Sequence, residues 1–170
     1  MPQTIAALLL LNLPSPASAF SALANLLNRP LPLSFYASDP GAKTSAYNLL
    51  LQTLSHKHAA LHAHLVALPG HDADAYLADL FTGLFTTHST LDEAARLWDV
   101  YVFEGDAVLV RAGVASLAQR EAELLGACTV AEVRAVLAGG DSAAGGEKPV
   151  VARNGAEDRW IRRVREAGKA

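Results

Sequence analysis

Apolar residues recur along this chain at helical spacing. Tyr47, Leu50, Leu51 and Leu54 form one stripe, Leu77, Leu80, Phe81 and Leu84 a second, and Leu91, Ala94, Ala95, Trp98, Tyr101 and Val102 a third. A period of 3.6 residues puts each set on one helix face, which is the pattern of a helix half-buried in a core rather than of a cofactor box. Helix-start signals agree with the stripes. Ser15-Pro16 and Asp39-Pro40 each place a capping oxygen before a proline at the first helical position. Thr90-Leu91-Asp92-Glu93 and Thr129-Val130-Ala131-Glu132 both spell the capping box, in which the threonine and the glutamate satisfy each other's backbone amides. Four independent starts predict an all-α fold.

One stretch reads two ways. Val100 to Phe103 and Ala107 to Val110 flank Glu104-Gly105-Asp106, and their β-branched content and turn residues suit a β-hairpin as well as a pair of helices. Further on, Ala138 to Pro149 reads AGGDSAAGGEKP, whose four glycines and scarcity of apolar side chains predict a flexible linker. Beyond it, Gly155 to Lys169 predicts a short helix with Trp160, Ile161 and Val164 on one side and Arg159, Arg162, Arg163 and Arg165 around it. Such a basic amphipathic segment suits an anionic membrane, a partner, its own body or a solvated tail.

The order of the segment Tyr76 to Gln119, two amphipathic patterns joined by a polar turn, then Arg96-Leu97-Trp98-Asp99 and the Glu104-Gly105-Asp106 break, resembles the C-terminal half of a TBC domain, the helical catalytic module of Rab GTPase-activating proteins. The resemblance extends from about Met1 to Leu137 through AFSALANLLN (Ala19 to Asn28) and LLLQTLSHKHAALHAHL (Leu49 to Leu65). It implies an organisation of residues 1–137 as the C-terminal half of the domain, 138–149 as linker and 150–170 as a basic tail. It also favours two helices around Gly105, with Gly105 as left-handed terminator of the first and Asp106 as cap of the second.

Composition narrows the function classes. At 170 residues the chain suffices for one domain with a core plus a tail, and its 51% apolar content and mean hydropathy of +0.20 suit either a large core or, the favoured reading, apolar surface meant to be covered by a partner. Residues 1–149 hold 8 lysines and arginines against 14 acids, which argues against nucleic acid as a partner, whereas residues 150–170 hold 6 against 3. The single Cys128 excludes an intramolecular disulfide, fits a reducing compartment and reads as a small apolar filler. Ile5 to Leu13 followed by Ala17-Ser18-Ala19 imitates a secretory leader that would release a chain starting at Phe20. No Lys or Arg precedes Arg29, however, and the run is too short for a bilayer, so a core helix is expected.

TBC proteins promote GTP hydrolysis with the arginine of an I-x-x-D-x-x-R motif and the glutamine of Y-x-Q, the arginine stabilising the charge that develops during phosphoryl transfer. Tyr36, Tyr47, Tyr76 and Tyr101 are followed two residues later by Ser38, Leu49, Ala78 and Phe103, and no I-x-x-D-x-x-R occurs. The resemblance places both motifs upstream of Met1, so neither Gln3 nor Arg96 is assigned a catalytic role. Arg96 and Asp99 read as a local ion pair.

His56, His58, His62 and His64 form the one metal-like cluster, with His58 and His62 at the i, i+4 spacing of a shared zinc. Without a nearby cysteine or carboxylate they read as surface or helix-junction histidines. Phosphate-loop and nucleophile-elbow motifs are absent from the sequence. The expectation is therefore no catalytic, cofactor-binding or metal residue and no cofactor in this chain. Its expected partner is a Rab-family small GTPase, with membrane contact through the basic tail and a cytoplasmic or peripheral endomembrane location. The alternative is a non-catalytic module that binds a GTPase or scaffold. If the upstream half of the domain is missing, Ile5, Leu8, Leu9 and Phe20 are expected to lie exposed.

Overall fold

The computed structural model describes residues 2–139 and 155–168. Among them are eleven helices and no strand: α1 (Pro2–Asn12), α2 (Pro16–Leu27), α3 (Pro30–Tyr36), α4 (Pro40–Lys57), α5 (Ala59–Ala67), α6 (Ala73–Thr82), α7 (Leu91–Glu104), α8 (Ala107–Gln119), α9 (Glu121–Leu124), α10 (Val130–Leu137) and α11 (Ala156–Ala167). The all-α expectation holds, and the segment that also read as a hairpin is the corner between α7 and α8. The linker proposed for 138–149 lies outside the described residues from 140 onward.

Three of the four predicted starts are present atom by atom. Ser15 accepts from the Ser18 amide, and Asp39 from those of Gly41 and Ala42. Thr90 and Glu93 close a full capping box. At α10 the box is displaced: Thr129 accepts from Glu132 N, but the Glu132 carboxylate takes the Cys128 amide at 2.7 Å instead of that of Thr129. Cys128 itself is exposed, which corrects its reading as an apolar filler.

α8 sits at the centre, packed against α4, α6, α7, α9 and α11. Val108, Leu109, Val110, Ala112, Gly113, Val114, Ala115 and Leu117 are all buried. A helix surrounded by protein needs apolar residues on nearly every side, and this is why its sequence imitates a buried strand. Gly113 permits the closest approach in this centre, since a Cβ there would lie 2.4 Å from Leu50 Cδ1 on α4. Beside it, Phe35 of α3 stacks on Phe81 of α6 at 4.8 Å, with Tyr47 of α4 edge-on to Phe35 at 5.7 Å. The first two stripes are buried throughout; in the third, Leu91 and Val102 are exposed because the inward face of α7 is set by Ala94, Leu97, Trp98 and Tyr101.

Of the residues expected to lie exposed, Phe20 does, whereas Ile5, Leu8 and Leu9 are buried in the core because α1 turns them inward and leaves Leu10 and Leu11 in solvent. No described helix is long and apolar enough to cross a membrane.

Candidate functional site

The segment that carried the resemblance folds as α6, a tight turn, α7 and α8. Its turn is strained: Leu84 and Phe85, both fully buried, have φ of 44° and 66°, values that side-chain-bearing residues rarely adopt. Two bonds hold it. Trp98 Nε1 donates to the Leu84 carbonyl at 2.9 Å, and Tyr36 Oη donates to the Thr82 carbonyl at 2.6 Å. Trp98 in the Arg-Leu-Trp-Asp sequence is therefore an anchor for the turn beneath it. Its neighbours Arg96 and Asp99 form the expected local pair at 3.7 Å, and Arg96 also reaches Asp158 of α11 at 3.8 Å.

At the α7–α8 corner, Gly105 takes φ 78° and ψ −166°, so a positive φ ends α7 but outside the left-handed helical region expected there. Asp106 does not cap α8; its own backbone is already helical and its side chain turns away. One carboxylate oxygen accepts from the Leu31 amide at 2.9 Å and the other from Tyr101 Oη at 3.0 Å. Because the Arg29 N-cap makes no capping bond with its own side chain, Asp106 caps α3 from across the fold. Arg29 returns the favour to α7, donating to the Tyr101 and Val102 carbonyls at 3.1 and 3.2 Å with its guanidinium 4.7 Å from the Tyr101 ring centre. A cation is favourable at a helix C-terminus and a carboxylate at an N-terminus, so both exchanges follow the helix dipoles. Burial first, and then the charge of Asp106, push the Tyr101 phenol well above its ordinary value of 10.0.

The histidines are dispersed. His58 ends α4 and pairs with Glu121 at 2.9 Å, and His64 donates to the Ala127 carbonyl at 2.9 Å. Among the described residues no group of three or more His, Cys, Asp or Glu is arranged to hold a metal. Each body arginine is also engaged. Arg29 and Arg96 are held as above, Arg111 pairs with Glu104, Arg120 donates to the Val136 carbonyl and Arg134 grips Asp79. Gln3 lies exposed on the first turn of α1.

α11 packs on α7 and α8 with Trp160, Ile161, Val164 and Ala167 buried. Lys57 donates to the Glu166 carbonyl at 3.0 Å near its C-terminus. Of the sequence alternatives, docking on the chain's own body is the one observed. Arg159, Arg162, Arg163 and Arg165 are exposed, and inserting the apolar face in a bilayer would require undocking the helix.

The sequence model of the Rab-GTPase-TBC domain matches residues 1–125 of this architecture. The chain belongs to the Rab-GTPase-TBC domain family. It is 36% identical over 107 residues to a TBC domain-containing protein of Schizosaccharomyces pombe, a stretch covering 63% of this chain and 22% of that protein. TBC1 domain family member 12 of Rattus norvegicus is 36% identical over 121 residues, covering 71% and 17% respectively. TBC1 domain family member 14 of Homo sapiens is 34% identical over 113 residues, covering 66% and 16%. The matched part thus spans only about a fifth of these relatives. The family model ends before α10 and α11, so the docked C-terminal helix lies beyond it.

The site is an architectural joint that sequence reasoning located but misassigned in detail. Trp98 and the Gly105 break were visible. The pairing of Arg29 with α7 and of Asp106 with α3 was not, because the partners stand more than seventy positions apart.

Proposed function

We propose that this chain is the C-terminal part of a Rab GTPase-activating TBC domain, with residues 1–137 as domain, 138–149 as linker and 150–170 as basic tail. It engages a Rab-type GTPase, while the arginine and glutamine that promote hydrolysis are supplied from outside these 170 residues. The observation that carries this reading is the family match over residues 1–125. Two further observations support the assignment of the fingers elsewhere. The chain contains neither I-x-x-D-x-x-R nor Y-x-Q, and every body arginine is engaged by an acid or a carbonyl. A cytoplasmic or peripheral endomembrane site of action belongs to the same proposal.

Single-turnover GTP hydrolysis on a panel of Rabs tests it. The expected outcome is binding to at least one GTP-loaded Rab without acceleration, and acceleration when an upstream TBC segment carrying both motifs is fused in front of Met1. An arginine supplied in trans is worth about 10³ to 10⁵ in rate, so the difference is unmistakable. Acceleration by the isolated chain would overturn the assignment of the fingers. A fused chain that neither binds nor accelerates any Rab would overturn the GTPase reading. Binding with no acceleration even after fusion would establish the second reading, a non-catalytic interaction module, which the engagement of every body arginine also favours.

A further inference from the structure

Between α4 and α8 lies a groove of about 900 Å³ with a largely apolar lining. Leu49 of α4, Ala107 and Val110 of α8 and Ala167 at the end of α11 supply that lining, and Leu49 is 52% exposed. Three titratable side chains share it, His56, Lys57 and Arg111, and among the described residues no acid does. The groove between α7 and α11, by contrast, sets Asp99, Glu104 and Asp158 among its arginines. Arg111 gives Nη2 to Glu104 and Nε to the Ala107 carbonyl, so Nη1 remains as a donor. Residues 1–149 as a whole hold 14 acids against 8 lysines and arginines, which makes this basic edge a local exception. Leu49, Thr53 and His56 stand at i, i+4 and i+7 on α4, a line of two helical turns or roughly 10 Å.

We propose that this groove receives an acidic amphipathic helix of a partner protein. Charge complementarity and shape select that occupant together. The basic side chains call for an anion, and the apolar lining calls for leucine-like anchors beside it. A nucleic acid offers phosphates but no apolar face for Leu49 and Val110. A flat bilayer does not enter a concave groove. An acyl chain laid in it would keep one side in water, because Leu49 and Ala107 are exposed and the groove is open along that side. A helix avoids that cost: its apolar stripe faces the groove, acids on the flanks meet Lys57, Arg111 and His56, and its polar back stays in solvent. The residue that follows Gly168 is Lys169, a further cation where an acidic helix would lie and not an apolar cover. The anchors are few and the charges lie at the surface, so the complex is reversible and weakened by salt. This inference uses neither the catalytic fingers nor a Rab and stands apart from the GTPase reading.

Fluorescence anisotropy of three labelled synthetic helices against the full chain tests the proposal. The first carries a leucine stripe at i, i+4 and i+7 flanked by glutamates, the second replaces those glutamates by lysines, and the third scrambles the first. The expected result is binding of the first alone, weakened at least about fivefold between roughly 0.05 and 0.5 M salt. Leu49→Glu and His56→Glu, both at exposed positions, should each weaken it by at least about tenfold while leaving the far-ultraviolet spectrum intact. No binding of the acidic helix overturns the proposal, as does equal binding of the lysine or scrambled helix, or binding indifferent to both substitutions. So does a groove that takes dodecanoate or a second copy of the chain through Leu49 but not the acidic helix. A chain that loses the acidic helix once an upstream TBC segment is fused before Met1 overturns it equally, for then the rest of the domain is the cover.

Discussion

Replacing Asp106 by alanine tests the exchange of caps between α3 and the α7–α8 corner. In the native protein its carboxylate takes the Leu31 amide at 2.9 Å and the Tyr101 hydroxyl at 3.0 Å. Removing a helix-capping acceptor costs about 1 kcal/mol. Tyr101 is fully buried, and stranding a buried hydroxyl costs a further 1 to 3 kcal/mol or so. The expected destabilisation is therefore about 2 to 4 kcal/mol. With a urea slope of about 2 kcal/mol per molar, the midpoint of denaturation followed by circular dichroism should fall by roughly 1 to 2 M. The decisive control is the same substitution in a Tyr101→Phe background. There the hydroxyl is already gone, only the capping contribution remains, and Asp106→Ala should cost about 1 kcal/mol. A cost below about 0.5 kcal/mol in the wild-type background, or an equal cost in both, would refute the proposed division of labour.

Three other outcomes follow from the same structure. Tyr76 is buried and its hydroxyl has no hydrogen-bond partner among the described residues, so Tyr76→Phe should be neutral or stabilise by about 1 kcal/mol in a thermal melt; a clear loss would reveal a partner. Burial raises the phenols of Tyr47, Tyr76 and Tyr101 above their ordinary value of 10.0, so above that pH the unfolded chain releases protons the native state retains. Stability should fall as pH rises past about 10 and be insensitive to these groups below it, which melts on either side of that value will check. Val164→Asp places a carboxylate where α11 meets α7 and α8; in a Trp98→Phe background the emission of Trp160 should shift red and become open to quenching, and an unchanged spectrum would mean that the apolar face does not hold α11.

Much of this molecule follows from one-dimensional information. The helical stripes and the oxygen caps at Ser15, Asp39, Thr90 and Thr129 are local: each depends on residues within a few positions of one another, and backbone geometry converts that spacing directly into helix. The α7–α8 corner was legible only in part, because a helix buried on all sides and a buried strand call for the same run of valines and leucines. Tertiary structure decided it by surrounding α8 with other helices.

The same division explains α1 and Asp106. The uncharged α1 permits several faces to turn inward, and packing selected Ile5, Leu8 and Leu9 while leaving Leu10 and Leu11 in solvent. Asp106 follows a glycine at a helix start and by local rules should cap its own helix, yet a more favourable acceptor role lay at α3, brought near only by the fold. Sequence alone determined where the oxygen-capped helices α2, α4, α7 and α10 begin and which residues are apolar enough to be covered. Only the folded chain determined which of those faces is covered and which distant backbone ends are joined, because burial and long-range hydrogen bonds depend on which elements meet in space and not on their separation along the chain.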